Sequence, residues 1–562
     1  MHIHPPHGSL GAIAGESCMS EPNKVDAVIV GAGFSGLYLL HLLRKNGFST
    51  RVFERGDDVG GTWYWNRYPG ARCDVESMQY SYSFDEDLQQ EWRWPEKYSS
   101  QLEILAYLQH VTERFDLRKD ITLETAVTAA HYDEAAKRWD IETDTSEQIS
   151  AQFFVMATGC ISTANMPNIP NIDGFTGNIF HTGNWPHEKI DFTGQRVAVI
   201  GTGSSAIQSI PVIAAEAEHL TVFQRTPHWT VPARNVPMTD DYERNWKDAY
   251  AEKRANMRGS MSGSLRAVAP IDVSALDVTD EEREEAYRER WAAGGMSLLR
   301  SYNDLLTSND ANETAASWVR QRIKATVNDP AKAELLAPKT YPLGTKRLCL
   351  DTDYYETYNR DNVDLVDIAS APIDQLTATG LETGGRSYDF DSIVLATGFD
   401  AMTGTLLRVD IQGRDALTLK EKWQAGPRTY MGLMTEGFPN LFTITGPGSP
   451  SVKSNMLTSI EQHAEWVTDA LIWLRDENIA SMEAESAAEN SWTDHVQDVA
   501  NQTLFPKANS WYMGANIPGK PRLFMPYLGG VGAYRQKCDE IAAAGYEGFR
   551  LESSEADAAA AE

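Results

Sequence analysis

The chain has 562 residues, 42% of them hydrophobic and 23% charged, and a formal net charge of -29. Single hydrophobic cores rarely exceed about 250–300 residues, so this length predicts several domains. The negative charge argues against nucleic acid or an anionic membrane as a partner, and no apolar run approaches the roughly 20 residues of a membrane-spanning helix.

The two ends and the cysteines narrow the class of protein further. Residues 1–23 are rich in Pro, Gly, His and Ser, and residues 552–562 are acidic and Ala-rich, so both are predicted to be disordered tails. The start has no basic-then-apolar signal pattern, which predicts a cytoplasmic protein, and Met19 is an alternative first residue. The cysteines are far apart and form no CxxC pair, which argues against a disulfide framework, a zinc site and a redox dithiol: Cys18, Cys73, Cys160, Cys349 and Cys538.

The first nucleotide-binding unit follows the N-terminal tail. Val25–Val30 is a short apolar run typical of a buried parallel strand, and the motif GAGFSG follows it at Gly31–Gly36. An apolar helix, Leu37–Leu43, and a second strand, Thr50–Phe53, then lead to Glu54, 23 residues after the first glycine of the motif. Strand, glycine turn, helix and acid together predict a dinucleotide site in which the acid takes the ribose hydroxyls.

A loop and a small sheet come next. Gly60–Asp74 (GGTWYWNRYPGARCD) contains aromatic residues that could belong to a core, but its glycines and proline favour a loop next to the first unit. A helix is predicted over Ser99–Phe115, and strands around Ile121–Tyr132 are predicted to form a β-meander.

A second unit resembles the first. Arg196–Ile200 is another apolar strand, GTGSSA follows at Gly201–Ala206, and a further strand ends at Gln224. Gln224 takes the position that Glu54 has in the first unit, and Arg225 follows it. A carboxylate would repel a 2′-phosphate whereas an arginine pairs with it, so the second unit is predicted to bind NADPH. A solvated surface charge is the alternative interpretation of Arg225.

The two units are joined by segments with their own signals. Two apolar strands end in Ala-Thr-Gly, FFVMATG at Phe153–Gly159 and IVLATGF within Ile393–Phe399, and such paired strands resemble the crossovers between the domains of two-dinucleotide flavoproteins. The central segment, residues 174–187 (GFTGNIFHTGNWPH), is predicted to be a loop because its glycines break a helix. It is either a hinge between the units or an ordinary surface linker.

The last part of the chain contains one helical and two loop-like regions. Residues 235–340 are rich in Glu, Arg and Ala and predict a helical insertion that shapes the substrate entrance. In the turn that follows, Lys346 and Arg347 are adjacent and can point in different directions; a solvated basic pair is the alternative. Thr443–Leu457 is Gly/Pro-rich and then helical.

Two motifs carry a resemblance to a known family. The central segment matches Phe-x-Gly-x-x-x-His-x-x-x-Trp-Pro at every specified position, and Gly60–Asp74 matches a second, longer pattern of the same family. The chain therefore resembles Baeyer–Villiger monooxygenases, which are class B flavoprotein monooxygenases, over roughly residues 24–550. Its sequence segments are most similar to those of the phenylacetone- and steroid-oxidising members.

The resemblance implies an α/β fold with two Rossmann-like dinucleotide-binding domains, one for FAD and one for NADPH, and a helical insertion. The FAD domain would comprise residues 24–160 and 396–551, and the NADPH domain residues 161–234 and 341–395. The insertion would occupy residues 235–340, between the two parts of the NADPH domain.

The resemblance also implies site residues. The fingerprint positions are Phe175, Gly177, His181, Trp185 and Pro186. The FAD-binding residues would be Gly31, Gly33, Phe34, Ser35, Gly36, Glu54, Arg55, Thr62, Trp63, Asp74, Tyr80, Val127 and Met456. The NADP-binding residues would be Arg72, Asp74, Gly201, Thr202, Gly203, Ser204, Ser205, Arg225, Thr226, Lys346, Arg347 and Trp511.

The chemistry implied by the resemblance is oxygen insertion next to a ketone carbonyl, through an FAD C4a-peroxide, to give an ester or lactone; some sulfides would also be oxidised. The catalytic residues would be Arg347, which stabilises the anionic oxygen, and Asp74, which pairs with it. His181 and Trp185 would couple the domains. The partners would be a small ketone and O2, with no obligate protein partner and no metal.

The chain departs from the family pattern at one place, and three rival functions remain. At Val452-Lys453 this chain departs from its most similar family members, and a lysine at the pocket mouth would alter substrate preference. The rival functions are a heteroatom-oxidising flavin monooxygenase, which lacks the Trp-Pro ending, a disulfide reductase, which needs paired cysteines, and a non-catalytic flavin-binding protein.

Overall fold

The computed structural model describes residues 23–553. Its strands are β1 Asn23–Val30, β2 Thr50–Phe53, β3 Ile121–Thr122, β4 Val127–Asp133, β5 Arg138–Thr143, β6 Gln148–Met156, β7 Asn178–His181, β8 Arg196–Ile200, β9 His219–Gln224, β10 Thr230–Pro232, β11 Cys349–Asp351, β12 Val363–Asp367, β13 Ile373–Thr377, β14 Gly380–Thr383, β15 Arg386–Asp389, β16 Ser392–Leu395, β17 Asp410–Gln412, β18 Leu441–Thr443, β19 Ile479–Ala484 and β20 Phe549–Ser553.

The α-helices lie between and after these strands. They are α1 Phe34–Lys45, α2 Thr62–Trp65, α3 Glu86–Glu91, α4 Gln101–Arg114, α5 Ser204–Glu216, α6 Asp240–Lys247, α7 Tyr250–Gly259, α8 Asp280–Ala293, α9 Asn309–Thr326, α10 Pro330–Leu336, α11 Tyr354–Thr357, α12 Leu419–Lys422, α13 Met456–Asp476, α14 Ser486–Asn501 and α15 Val531–Ala543. Within residues 23–553, no helix is long and apolar enough to cross a membrane.

The first large sheet has the strand order β17-β4-β5-β6-β1-β2-β3, and β18 also pairs with β6. Strands β6, β1, β2 and β3 run parallel, whereas β4, β5 and β6 form the antiparallel meander that the sequence predicts. Alternate residues of β1 enter two different cores: Ala27 and Ile29 pack towards α1 and α13, and Val28 packs on the opposite face. Burial on both faces explains why this strand is continuously apolar.

The second large sheet is wholly parallel, with the order β12-β9-β8-β16-β7. Val197 and Val199 of β8 face the core that contains α5, while Ala198 and Ile200 face the core that contains β13 and β14. The two large sheets confirm the predicted α/β architecture with two Rossmann-like units. The domain boundaries given above remain a prediction.

The predicted insertion is helical, with α6 to α10 inside residues 235–340. Its two halves pack on different cores. Trp246, Tyr250 and Met257 join the core of the first sheet, whereas Tyr287 and Trp318 join that of the second. The insertion therefore contacts both nucleotide-binding units.

Several sequence predictions differ from the structure. The Gly60–Asp74 segment is not a loop throughout, because it contains the short helix α2, and its Trp63 and Tyr64 are buried in the core of the first sheet. The central segment is not a loop throughout, because residues 178–181 form β7, the edge strand that pairs in parallel with β16. Its glycines exclude a helix, but they do not exclude a short strand that completes a sheet. The first helix begins at Phe34, directly after the second glycine of its motif, and not at Leu37 as predicted.

The predicted tails also overlap the fold at both ends. Asn23 begins β1, so the prediction for residues 1–22 lies outside the described residues. At the other end, Glu552 lies in β20, and its carboxylate is 2.8 Å from Arg414 and 3.5 Å from Lys137. Residues 552–553 therefore belong to the fold, and the prediction for residues 554–562 lies outside the described part of the chain.

Candidate active site

The two glycine motifs have the same local geometry. Gly31 has φ 102° and Gly201 has φ 113°, a region that favours glycine. A Cβ on Gly31 would lie 2.9 Å from the carbonyl oxygen of Ala157, and one on Gly201 would lie 2.4 Å from that of Ala396. These two alanines begin the paired Ala-Thr-Gly sequences, so each crossover packs against the turn of its own unit.

The third glycine position differs between the units for a steric reason. A Cβ on Gly36 would lie 1.9 Å from the carbonyl oxygen of Gly31, so no larger residue fits there. The second unit accommodates Ala206, which is fully buried at this position. Gly36 does not line the cavity described below, so it acts through the packing of α1 against the turn.

A cavity of about 1370 Å³ lies between the two units. Apart from Gly36, every residue predicted to bind FAD or NADP lines it, including Phe34, Arg55, Thr62, Val127 and Met456 on the first unit's side. On the second unit's side it is lined by Gly201, Thr202, Gly203, Ser204, Ser205 and Thr226. One continuous space is thus bordered by both predicted nucleotide sites.

The residues at the ends of β2 and β9, the second strands of the two units, differ as predicted. The carboxylate of Glu54 accepts hydrogen bonds from the backbone N–H groups of Ala32 and Gly56, each at 2.8 Å, and it lines the cavity. Gln224 instead donates to the carbonyl of Leu335 at 2.8 Å and does not line the cavity. The acid of the first unit therefore has no counterpart in the second.

Two cations face the second unit's part of the cavity. Arg225 and Lys346 both line it, and the Lys346 ammonium lies 4.4 Å from the centroid of the Tyr341 ring. Burial, and then the nearby charge of Arg225, lower the pKa of Lys346 from its ordinary value. Neither cation has an ion pair with a carboxylate among residues 23–553, and two like charges held together in this way form a site that an anion would stabilise.

Arg347 and Asp74 are brought together from positions 273 residues apart. Arg347 Nε donates to Asp74 Oδ2 at 2.8 Å, and Nη2 donates to Oδ1 at 2.6 Å, which is a bidentate pair. Nη1 donates to the carbonyl of Val452 at 2.7 Å. Burial alone would lower the pKa of Arg347, but Asp74 raises it above the ordinary value, so the guanidinium stays charged.

Trp63 of the Gly60–Asp74 segment lines the same cavity together with Tyr80 and Phe34. The Trp63 indole N–H donates to the Tyr80 hydroxyl at 3.3 Å, and the Tyr80 ring packs 5.3 Å from Phe34. All three residues line the cavity on the first unit's side. The three rings thus form an aromatic wall of the same space that Arg347 and Asp74 border.

Several contacts in the site were not predicted from the sequence. Gln208 of α5 donates to the carbonyl of Arg72 at 3.0 Å and accepts from the Tyr68 hydroxyl at 2.8 Å, so it ties the second unit to the Gly60–Asp74 loop. Arg72 itself pairs with Glu96. A Cβ on Gly70 would lie 2.3 Å from the Gln208 carbonyl oxygen, so the only sequence signal for this close approach was the glycine itself.

The fingerprint residues of the central segment do not line the cavity. His181 Nε2 lies 3.2 Å from the Thr397 hydroxyl and 3.3 Å from the carbonyl of Asn165, and Nδ1 accepts from the N–H of Gly183 at 2.9 Å. Asn165 and Thr397 belong to the two crossover regions and do line the cavity. His181 therefore lies directly behind the paired crossovers.

The remaining fingerprint residues contact other parts of the protein and not the cavity. Trp185 is buried beside Phe180 and Phe192, with ring centroids 5.2 Å and 6.3 Å away. Phe175 packs in the core under the second sheet, and a Cβ on Gly177 would lie 2.5 Å from the carbonyl oxygen of Asp391. Pro186 is half-buried.

Lys453 does not line the cavity, so the expectation that it lies at the pocket mouth is wrong. Its ammonium lies over two aromatic rings, 4.2 Å from the centroid of Phe505 and 5.1 Å from that of Tyr512. Its neighbour Val452 does line the cavity. A long side chain next to a lining residue can turn away from the cavity, which sequence position alone cannot reveal.

A fold with two glycine-rich dinucleotide units that border one cavity defines a two-nucleotide oxidoreductase. Comparison with known proteins agrees. A family model described as flavin-binding monooxygenase-like matches residues 23–241. A Baeyer–Villiger monooxygenase of Pseudooceanicola batsensis is 40% identical over 530 residues, which cover 93% of this chain and 95% of the relative.

Solved structures are similar over the whole fold. Oxidised steroid monooxygenase bound to NADP is 51% identical with a TM-score of 0.90, and the match covers 95% of this chain and 100% of that one. The enzyme OTEMO in complex with FAD and NADP is 39% identical with a TM-score of 0.91, covering 94% and 100% of the two chains. The chain belongs to the Baeyer–Villiger monooxygenases, and FAD and NADP are its cofactors.

Proposed function

We propose that this enzyme inserts one oxygen atom from O2 next to the carbonyl of a small ketone, giving an ester or a lactone, at the expense of NADPH. The observation that carries the proposal is the bidentate Arg347–Asp74 pair on the wall of the cavity between the two units. A cytoplasmic location, the absence of an obligate protein partner and a side activity on sulfides stay predictions.

The residues that border the cavity fit the two cofactors. The turn at Gly31 leaves no room for a side chain, and Glu54 keeps acceptor capacity on its carboxylate, which suits the pyrophosphate and ribose of FAD. Arg225 and Lys346 suit the 2′-phosphate of NADPH. When bound, FAD reduced by NADPH supplies the activated oxygen.

Arg347 is proposed to stabilise the negative charge that develops on oxygen as the ketone carbonyl is attacked. A guanidinium has five N–H donors, of which three donate to Asp74 and Val452, and the Tyr512 hydroxyl lies close to it. Asp74 fixes the plane of the guanidinium and offsets the effect of burial on its pKa. Such a preorganised donor acts most strongly where water is excluded.

His181 and Trp185 are proposed to couple the two units without contacting the reacting atoms. Burial lowers the pKa of His181, so the ring is neutral at neutral pH and can both donate and accept. Its contacts with Asn165 and Thr397 hold the two crossovers together behind the cavity. A movement of one unit would therefore be transmitted to the other.

Arg225→Ala should weaken NADPH binding with little change in the rate of the chemical step. Loss of a charged hydrogen bond to the 2′-phosphate raises KM for NADPH by about 1–3 kcal/mol in free energy. KM for NADH, which lacks that phosphate, should stay the same. Steady-state kinetics with both nucleotides test this, with Arg386→Ala, an exposed arginine elsewhere in the same unit, as the matched control.

Equal use of NADH and NADPH by the wild type, together with an unchanged KM for NADPH in Arg225→Ala, would show that this assignment is wrong. A shift of similar size in Arg386→Ala would show that the effect is one of overall charge.

The proposed function is tested by NADPH consumption with a panel of linear, cyclic, aromatic and steroid ketones. Mass spectrometry of the product should show one added oxygen, and the ester bond should hydrolyse to an alcohol and an acid. A parallel panel of sulfides and amines distinguishes the heteroatom-oxidising rival. Oxidation of sulfides or amines without any ester from ketones would reject the proposal.

A further inference from the structure

The Lys346 ammonium, one of the two cations on the second unit's side of the cavity, lies over an aromatic ring. It is 4.4 Å from the centroid of the Tyr341 ring, and Lys346 lines the cavity. Among residues 23–553 this ammonium has neither a hydrogen bond nor an ion pair. The face of the Tyr341 ring is therefore the group that attracts it most directly.

The Tyr341 ring is fixed in place by its own contacts. It is buried, its hydroxyl donates to the carbonyl of Pro227 at 3.0 Å, and its centroid lies 6.4 Å from that of the Trp229 ring at an interplanar angle of 75°. Tyr341 itself does not line the cavity. The ring is thus a rigid surface that can act on a molecule in the cavity only through Lys346.

The ring is not required to hold the neighbouring chain segments together. Pro227 follows Arg225 by two positions, so the Tyr341 hydroxyl does join the segment of Arg225 to the turn of Lys346. The same two parts of the chain are also joined by the pairing of β10 with β11 and by the Trp229 indole N–H, which donates to the backbone carbonyl of Tyr341 at 3.3 Å. What the side chain of Tyr341 alone contributes is its aromatic face.

That face matters because the wall of the cavity is unfavourable for a second cation. Burial, and then the charge of Arg225, lower the pKa of Lys346. The Tyr341 ring attracts the ammonium and offsets part of this effect. It also restricts a long side chain that would otherwise lose many rotamers when it binds an anion, and the side of the ammonium that faces the cavity stays available.

We propose that Tyr341 determines coenzyme specificity, because its ring holds the Lys346 ammonium on the cavity wall where that ammonium pairs with the 2′-phosphate of NADP. Tyr341 is a positioning residue, since it acts through Lys346. The inference rests on the proposed assignment of Arg225 and Lys346 to the 2′-phosphate, and it adds the residue on which the position of Lys346 depends. NAD+ lacks this phosphate, so its binding should not depend on Tyr341.

The test compares the Kd values of NADP+ and NAD+ for the oxidised holoenzyme, measured by calorimetry. Tyr341→Leu, which removes the aromatic face, should weaken NADP+ binding about fivefold, the size expected for one cation–π contact, and leave the Kd of NAD+ unchanged. Tyr341→Phe keeps the face and should keep the ratio of the two Kd values. Its melting temperature should fall, because the Pro227 carbonyl loses its donor.

A double-mutant cycle shows whether the ring acts through the ammonium. The double variant of Tyr341→Leu and Lys346→Met should bind NADP+ no more weakly than Lys346→Met alone, because the ring then has no cation to position. Tyr388→Leu is the matched control. It removes a half-buried ring elsewhere in the second unit, beside Phe390, and should leave the ratio of the two Kd values as in the wild type.

The outcomes separate this inference from the proposed function. An unchanged ratio in Tyr341→Leu, together with a lost preference for NADP+ in Lys346→Met, would overturn the role of Tyr341 and leave the 2′-phosphate site intact. An unchanged ratio in Lys346→Met would reject that site and the inference with it. Equal weakening of both nucleotides by Tyr341→Leu would show that the ring only supports the fold.

The Tyr341→Phe variant remains decisive if Tyr341→Leu does not fold. A retained preference for NADP+ in Tyr341→Phe, with a lowered melting temperature, supports the role of the ring. A lost preference would place the effect in the hydroxyl and its bond to Pro227, and would overturn the inference.

Discussion

Arg347→Ala should abolish ester formation while NADPH still reduces the bound flavin. Hydride transfer needs only a docked nicotinamide, whereas nucleophilic oxygen needs a fixed positive charge in a dry site. Without that charge the protonated form of the oxygen nucleophile is favoured, and it attacks a ketone poorly. Loss of one such electrostatic group costs on the order of 10²–10³ in rate.

The measurement pairs anaerobic stopped-flow reduction by NADPH with product analysis under air. Arg360→Ala, which removes an exposed arginine 13 positions away, is the matched control and should leave both readouts unchanged. Arg347→Lys should recover little activity, because an ammonium cannot form the bidentate pair with Asp74 and still donate to the Val452 carbonyl. Near wild-type ester formation by Arg347→Ala would show that another group is catalytic.

Asp74→Ala should change product formation in the same direction. The carboxylate accepts two of the three hydrogen bonds that fix the guanidinium, so its loss leaves Arg347 charged but poorly oriented. The double variant should then be little worse than Arg347→Ala alone, because residues that act as a unit are not additive. Additive losses would place the two residues in separate roles.

The sequence predicted the parts of the site that depend only on residues close together in the chain. A parallel strand, a turn that needs glycine and a helix N-terminus occupy one short stretch, so both nucleotide units could be located without a structure. The difference between Glu54 and Gln224 is likewise visible in the sequence, because each residue lies 23 positions after the first glycine of its motif. The Arg347–Asp74 contact spans 273 residues and was available only through the family resemblance.

The sequence could not predict features that depend on which surfaces meet. Residues 178–181 have no strong strand signal and become β7 because β16 offers a free edge at which they can pair. Gln208 looks like any polar residue on a helix until α5 docks on the loop that contains Arg72. Lys453 looks like a lining residue until its side chain is seen over Phe505.

The same reasoning explains the one predicted FAD-binding residue that does not border the cavity. Gly36 belongs to the motif by spacing, and motif membership suggests ligand contact. Its actual constraint is steric, because the helix passes so close to the turn that the Gly31 carbonyl occupies the place of a side chain. A position can thus be essential to a nucleotide site through the packing of the protein alone.

Gly36→Ala should therefore yield a protein that has lost most of its flavin. The new Cβ would lie 1.9 Å from the Gly31 carbonyl oxygen. Gly31 cannot move away, because its N–H donates to the Phe53 carbonyl at 2.8 Å and its Cα packs against the Ala157 carbonyl. Helix α1 must shift away from the turn. Overpacking of this kind costs about 1–3 kcal/mol or more, concentrated where the pyrophosphate of FAD would bind.

Gly203→Ala is the matched control in the second unit. A Cβ at Gly203 meets no heavy atom within 4 Å, and its φ of -81° suits any residue, so this variant should purify with full flavin. The ratio of flavin absorbance to protein absorbance, with the melting temperature, measures both effects. Full flavin content in Gly36→Ala would mean that the helix can move without disturbing the site. The close approach of helix and turn would then have no bearing on cofactor binding.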